Sequence, residues 1–194
     1  MKITGVLHIG AHDCEEQGVY MQQNIPTDNI FWVEAMPEKV THIRSVNPNI
    51  HIYQALISDT DNEIKKFYIT NNGQSSSMLE LGTHQTHYPH IHVVNTILLS
   101  TKRIDTLIEE KSIPIDRVNF INLDIQGSEL TALKSMEKYL NGIQYIYTEV
   151  NTEKVYKDCC LVKELDQYLA KFGFMRVVTK TVKEGWGDAL YVKL

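Results

Sequence analysis

What the 194-residue sequence lacks narrows its class before any motif is read. Its three cysteines, Cys14, Cys159 and Cys160, are odd in number and have no paired-ligand spacing. They read as small buried hydrophobes in a reducing compartment, not as a disulfide framework or a thiolate metal site. No apolar run approaches the roughly 20 residues that a membrane span needs. The first strand begins so soon after Met1 that no room is left for a leader peptide, and a soluble, cytoplasmic protein is the expectation. Basic residues nowhere cluster beyond a pair such as Lys65-Lys66, and the net charge is -5, which argues against a nucleic-acid partner. No repeat, low-complexity stretch or composition shift marks a second unit. With 43% hydrophobic residues the chain can fill one core, so a single domain over residues 1–194 is expected.

Glycine is also scarce at the place where a dinucleotide-binding turn needs it most. The run Gly5-Val-Leu-His-Ile9 reads as a short buried strand, Gly10-Ala11 as a tight turn, and Glu15 to Gln23 as the following helix. A second apolar run, Ile30 to Val33, ends in Glu34, an acid roughly 20 residues past the turn, where a ribose hydroxyl pair is usually held. A pyrophosphate needs further glycines so that backbone N–H groups can approach it. Here those places hold His12, Asp13 and Glu15. The acids Asp13, Glu15 and Glu16 would repel phosphates, yet they suit a ligand that carries an ammonium and a sulfonium, which points to S-adenosylmethionine.

Strands and helices alternate along the rest of the chain. Helices are expected over Pro37–Val46, Arg103–Lys111, Glu129–Leu140 and Leu161–Phe172, the last closed by Gly173. Strands are expected over His51–Ile57, Glu63–Thr70, Val93–Thr101, Val118–Leu123 and Ile143–Thr148. The tail, Met175–Val182 and Ala189–Val192 about the turn Lys183–Gly187, reads as a β-hairpin, and Asn71–Ser77 as a loop. This alternation implies a doubly wound, mostly parallel α/β sheet with a C-terminal antiparallel hairpin.

Such a sheet binds ligands outside the carboxyl ends of its strands, where the strand order reverses. The strand-end residues Gly10-Ala11-His12, Glu34, Ser58-Asp59, Asp124 and Glu149 are expected to converge there. The histidines of Thr83–His92 invite a metal reading. Pro89 interrupts any helix face and no acid completes a mixed site, so a substrate-facing or exposed insertion is preferred and no metal site is expected.

The chain resembles the FkbM-type S-adenosylmethionine-dependent methyltransferases along nearly its whole length. The match lies in Ile9-Gly-Ala-His12, Val33-Glu34-Ala-Met-Pro37, Gly73-Gln-Ser-Ser-Ser77, Arg103-Ile-Asp-Thr-Leu107, Asn122-Leu-Asp-Ile-Gln-Gly-Ser-Glu-Leu130, Glu149-Val-Asn151, Gly173-Phe174 and Trp186-Gly187-Asp188. The resemblance implies a seven-stranded, Rossmann-like class I methyltransferase fold that transfers a methyl group to a hydroxyl, often on a saccharide or other small molecule. It implies cofactor contacts from Ile9, Gly10, Ala11, Glu15, Glu34, Ala35, Met36, Leu56, Ser58, Ser76, Ser77, Asp124 and Gln126. Asp124, Glu149 and His12 are the candidate bases, with Asp124 ranked first. Two positions depart from the family pattern: His12-Asp13 replaces a plainer turn, and Gln126 stands where an acid is usual. The alternatives are a nicotinamide oxidoreductase on a related sheet and a relative that binds the cofactor without turnover.

Overall fold

The computed structural model describes residues 2–181 and 184–194. The first half alternates as expected: β1 (Val6–Ile9), α1 (Gln17–Gln22), β2 (Ile30–Glu34), α2 (Pro37–Val46) and β3 (His51–Gln54). The chain then departs from the alternation through β4 (Leu56–Ile57), β5 (Ile64–Thr70), α3 (His84–His87) and β6 (Val93–Lys102). It resumes with α4 (Ile104–Lys111), β7 (Phe120–Leu123), α5 (Glu129–Lys134), β8 (Tyr145–Asn151) and α6 (Val162–Ala170), and closes on β9 (Phe174–Thr181) and β10 (Trp186–Lys193).

Seven strands form the main sheet in the order β3-β2-β1-β7-β8-β10-β9. The first five are parallel, and β10 runs antiparallel to both β8 and β9. Every residue of β1 and β2 is buried, the pattern of parallel strands covered on both faces. Alternate side chains divide between two cores. Leu7, Ile9, Phe31 and Val33 pack with Leu107 of α4, Leu133 of α5 and Leu165 of α6. Val6, Ile30 and Trp32 pack on the opposite face with Tyr20 of α1 and Val40 and Ile43 of α2. The polar exception, His8, stacks on Trp32 at 4.7 Å and meets the Tyr20 hydroxyl at 3.0 Å, and burial pushes its pKa down to about 3. It is a neutral core group.

Several expected elements differ in extent, three of them with a consequence for the site. The single strand read over His51–Ile57 is two, because the chain leaves the main sheet at Ala55, whose N–H donates to the Glu34 carbonyl. The next two residues then pair with β6 in a separate three-stranded sheet, β4-β6-β5. The helix read over Glu129–Leu140 ends at Lys134, where the Ser135 hydroxyl donates back to the Ala132 carbonyl, and a 3-10 turn continues at Glu137–Gly142. Strand β8 runs on to Asn151 because β10 pairs with it along its length, so Glu149 lies inside a strand and not at its end. The hairpin is present, while the expected end of its first strand at Val182 and the turn residue Lys183 lie outside the described residues. Among the described residues no helix is long and apolar enough to cross a membrane.

The sheet order reverses between β1 and β7. Gly10 leaves β1 there with φ +92, and a Cβ built on it would overlap the Asp124 carbonyl that follows β7. Glycine is therefore required by the approach of two protein segments. Gly10→Ala should destabilise the fold by at least about 2 kcal/mol in chemical denaturation, from the sum of the overlap and the left-handed backbone. Gly18 of α1 has open space where its Cβ would go. Gly18→Ala should instead be neutral or stabilise by up to about 1 kcal/mol. Equal effects of the two substitutions would refute this account of the turn.

Candidate functional site

Two cavities open at the switch point and share Gly10, His12, Gln74, Asp124 and Gln126. The smaller is a slot of about 60 Å³ between the first turn, the end of β2 and the serine loop, with Met36, Leu56, Phe67 and Met78 among its apolar walls. The larger, of about 460 Å³, lies between that junction, the serine loop, the α3 segment and the β8–β10 pair. Its volume falls in the range of small-molecule sites.

Glu34 closes one side of the slot. Its Oε2 accepts the His12 N–H and its Oε1 the Met36 N–H, both at 2.8 Å. The carboxylate thus holds the first turn against the β2–α2 connection, with lone pairs left on each oxygen for further donors. Burial raises its pKa, and the two backbone donors oppose that. On the opposite side Ser128 Oγ is buried without a hydrogen-bond partner.

The acids of the first turn are partly matched within the protein. Lys39 pairs with Asp13 at 2.7 Å and His12 Nδ1 with Glu15 at 2.8 Å. His12, Asp13 and Glu15 bring their ligand-type atoms within 4.8 Å of one another, but these pairings already occupy them.

The junction is governed by the loop after β7. Gln126 takes a left-handed conformation, with φ 57, and Gly127 follows with φ 101. Glu129, fully buried at the start of α5, accepts the N–H groups of Ile125 and Gly127 at 3.2 and 3.0 Å and so fixes this turn. The Gln126 amide then donates to Asp124 Oδ1 at 2.5 Å and Glu149 Oε2 at 3.0 Å, while its Oε1 accepts the Tyr156 hydroxyl. Asp124 is open to the cavity, yet the enclosing walls push its pKa up to about 6, with Asp188 and Glu16 adding to the shift and the Gln126 bond opposing it. Burial also raises Glu129 to about 7. Glu149 is raised well above the usual carboxylate range, first by burial and then by Glu129 and Asp124.

Most of the expected residues gather here. Ile9, Gly10, Glu34, Ala35, Met36, Leu56, Ser76, Asp124 and Gln126 line the slot, and Glu15, Glu149 and His12 line the larger cavity. Three of them do not reach either wall. Ala11 is buried among the α1 and α2 core residues, because its N–H shares the Val33 carbonyl with Gly10 and its side chain turns inward. Ser58 is buried at the β4–β6 junction, its N–H on the Lys102 carbonyl. Ser77 braces the β7 loop, donating to the Gln126 carbonyl and accepting the Leu79 N–H. Asp59 likewise stays outside, exposed beside Arg103, which binds its carbonyl. The Thr83–His92 segment, read as substrate-facing or exposed, places His84 and Tyr88 in the larger cavity's wall, while Tyr156 and Asp188 were missed as wall residues. Asp188 was visible only as part of Trp186-Gly187-Asp188, and its position follows from the β8–β10 register.

A family model described as Methyltransferase FkbM domain matches residues 8–175. No curated protein sequence matches the chain. Among solved structures, the methyltransferase FkbM from Methylobacillus flagellatus KT superposes with a TM-score of 0.58 at 15% identity, covering 97% of this chain and 43% of its own. The chain therefore spans less than half the length of that protein. A ribosomal protein L11 methylase from Lactobacillus delbrueckii subsp. bulgaricus gives 0.51 at 8% identity, covering all of this chain and 72% of its own. A precorrin-6y C5,15-methyltransferase from Geobacter metallireducens GS-15 gives 0.50 at 12%, covering 98% and 80%. At these identities the likenesses show the fold alone.

The raised pKa of Glu149 has a thermodynamic signature. The folded state keeps its proton where the unfolded chain releases it, so stability from this group is full below the ordinary pKa of 4.5 and declines as pH rises toward the folded value. Glu149→Gln should remove that decline, making the variant's melting temperature relative to the parent higher at pH 8 than at pH 5. A difference independent of pH would show that Glu149 is ionised in the fold.

Proposed function

The chain belongs to the FkbM methyltransferase family, whose methyl donor is S-adenosylmethionine, and from that premise we propose that it transfers the methyl group to a hydroxyl of a saccharide or other small molecule. The observation that carries this reading is the meeting of a narrow, partly apolar slot beside Glu34 and a wider polar cavity at one ionisable carboxylate, Asp124. The slot suits the cofactor on two counts: Glu34 retains free lone pairs for ribose hydroxyls, and Met36, Leu56, Phe67 and Met78 give it an apolar side. Ile9, Gly10, Ala35, Met36, Leu56, Ser76 and Gln126 complete the proposed cofactor set, with Glu15 at the mouth, while Ala11, Ser58 and Ser77 support it from behind. Glu15 and Glu16 favour a cationic amino acid end and disfavour a pyrophosphate.

When bound, the cofactor supplies an electrophilic methyl group on a sulfonium. The chain's own part is first to orient: holding reactants in line can recover about 7 to 11 kcal/mol of such a barrier. Asp124 then accepts the hydroxyl proton at Oδ2, the oxygen that the Gln126 amide leaves free. Its pKa of about 6 leaves it ionised at neutral pH and close to the optimum for a base. Glu149 keeps its own proton and acts through Gln126. His12, tied by Nδ1 to Glu15, is placed to steady the turn between the two cavities. The net charge of -5 and the carboxylate-rich cavity support a small acceptor over nucleic acid.

Glu34→Gln should weaken S-adenosylhomocysteine binding by about tenfold or more in calorimetry, since a charge-assisted hydrogen bond contributes roughly 1.5 to 3 kcal/mol. A folded variant with parental affinity would remove Glu34 from the cofactor site. For turnover, Asp124→Asn should cut the methyl-transfer rate by at least about 10²-fold. In the parent the rate should rise with pH through about 6 and then level, because only the ionised carboxylate accepts a proton. Parental rates in Asp124→Asn would move the base elsewhere, and cofactor binding with no product from any acceptor would favour a binding-only relative.

A further inference from the structure

An antiparallel pair of strands ordinarily avoids facing two carboxylates, because like charges directly opposite destabilise a sheet. Strands β8 and β10 nonetheless set Asp188 opposite Glu149, and both line the larger cavity with Glu16 and Asp124. Among the described residues no Lys or Arg lines that wall, and none forms an ion pair with these four acids. Lys180 stands across β9 from Asp188 and eases its charge without pairing with it. Places where a fold breaks a local rule are the expected seats of function.

A second observation is independent of the acids. His84 belongs to the same wall, is 6% exposed, and its Nδ1 has no hydrogen-bond partner. Burial, with His87 and His90 nearby, lowers its pKa and keeps the ring neutral. A neutral imidazole adds polar lining without adding a positive charge to the wall. A third observation is the aromatic lining of Tyr88, Tyr156 and Trp186, in which Trp186 Nε1 donates to the Tyr88 hydroxyl at 3.2 Å. Aromatic faces attract cations and pack on the apolar faces of sugars, and carboxylates bind hydroxyl and ammonium donors.

We propose that the larger cavity takes the methyl acceptor as a cation, a polyhydroxylated amine of the amino-sugar class, with its ammonium toward the Asp188–Glu149 pair and its aromatic neighbours. This rests on the methyl-transfer reading above and narrows its acceptor. The ammonium supplies a countercharge for Asp188 beside the protonated Glu149, and a hydroxyl meets Asp124. Phosphorylated or nucleotide-linked acceptors meet only like charge in this wall.

The test uses the full chain saturated with S-adenosylhomocysteine and titrated in a calorimeter with glucosamine, galactosamine and mannosamine, each beside its N-acetyl and 6-phosphate form. Methyl transfer to the same compounds is followed with S-adenosylmethionine. At least one free amine should bind about tenfold or more tightly than its N-acetyl form, as loss of a charge-assisted bond predicts, and its 6-phosphate more weakly still. Asp188→Asn should reduce that preference severalfold and Asp188→Glu should retain it. Parity between amine and N-acetyl forms, tighter binding of the phosphates, or no binding of any amine by the loaded protein overturns the proposal. Failure to bind S-adenosylhomocysteine is a separate result that would strike the methyl-transfer reading itself.

Discussion

The site depends on one neutral amide. Gln126 reaches Asp124 and Glu149 with the same nitrogen, and Tyr156 fixes which way the amide points by donating to its oxygen. Without it two carboxylates would face each other across a cavity wall, and mutual repulsion would force them apart or protonate one of them. With it the pair separates in role. The more enclosed Glu149 holds its proton, and Asp124, open to the cavity, ionises near pH 6. An acid at position 126 would add a third carboxyl group to this junction, whereas glutamine adds donors.

The rest of the local architecture serves that amide. A residue with a side chain rarely occupies the left-handed region, and Gln126 does so because Glu129 captures the backbone N–H groups on both sides of it and Ser77 takes its carbonyl. Gly10 allows the β1 and β7 ends to touch, which brings the Asp124 carbonyl against the first turn. Glu34 ties the turn to β2 through His12. The Ser77–Gln126 and Glu34–His12 bonds and the Gly10–Asp124 approach join segments far apart in sequence, so the site forms only when the parallel sheet has closed.

Much of this was legible in the sequence, and what was not has a common physical cause. Strands β1, β2 and β7 and helix α2 could be read because burial on both faces, a proline at the helix start and a polar strand end are local signals. The acids at Glu34 and Asp124 could be placed for the same reason. Glu149 was read as a strand end because β8 carries no local mark of its length. Its last residues are extended by hydrogen bonds from β10, some forty residues later in the chain. Asp188 and Tyr156 were missed on the same ground, and Ala11, Ser58 and Ser77, expected at the cofactor, line neither cavity. A side chain's direction across a turn depends on the partner segment, which periodicity does not reveal.

The first turn shows how a correct inference can stand on an incomplete reason. Read as sequence, Asp13, Glu15 and Glu16 repel a pyrophosphate simply by being three negative charges. In the fold Asp13 is neutralised by Lys39 and Glu15 is engaged by His12, so two of the three are largely answered within the protein. Glu16 keeps only a distant contact, 3.8 Å from a His8 that burial holds neutral. The excess negative charge at the junction therefore comes from Glu16 alone of the three turn acids, together with Asp124 and Asp188 in the same cavity wall. An anionic group would meet that field from several directions at once. A sulfonium or an ammonium would be drawn to the same point, which ties the methyl donor and the proposed cationic acceptor to one arrangement of charges.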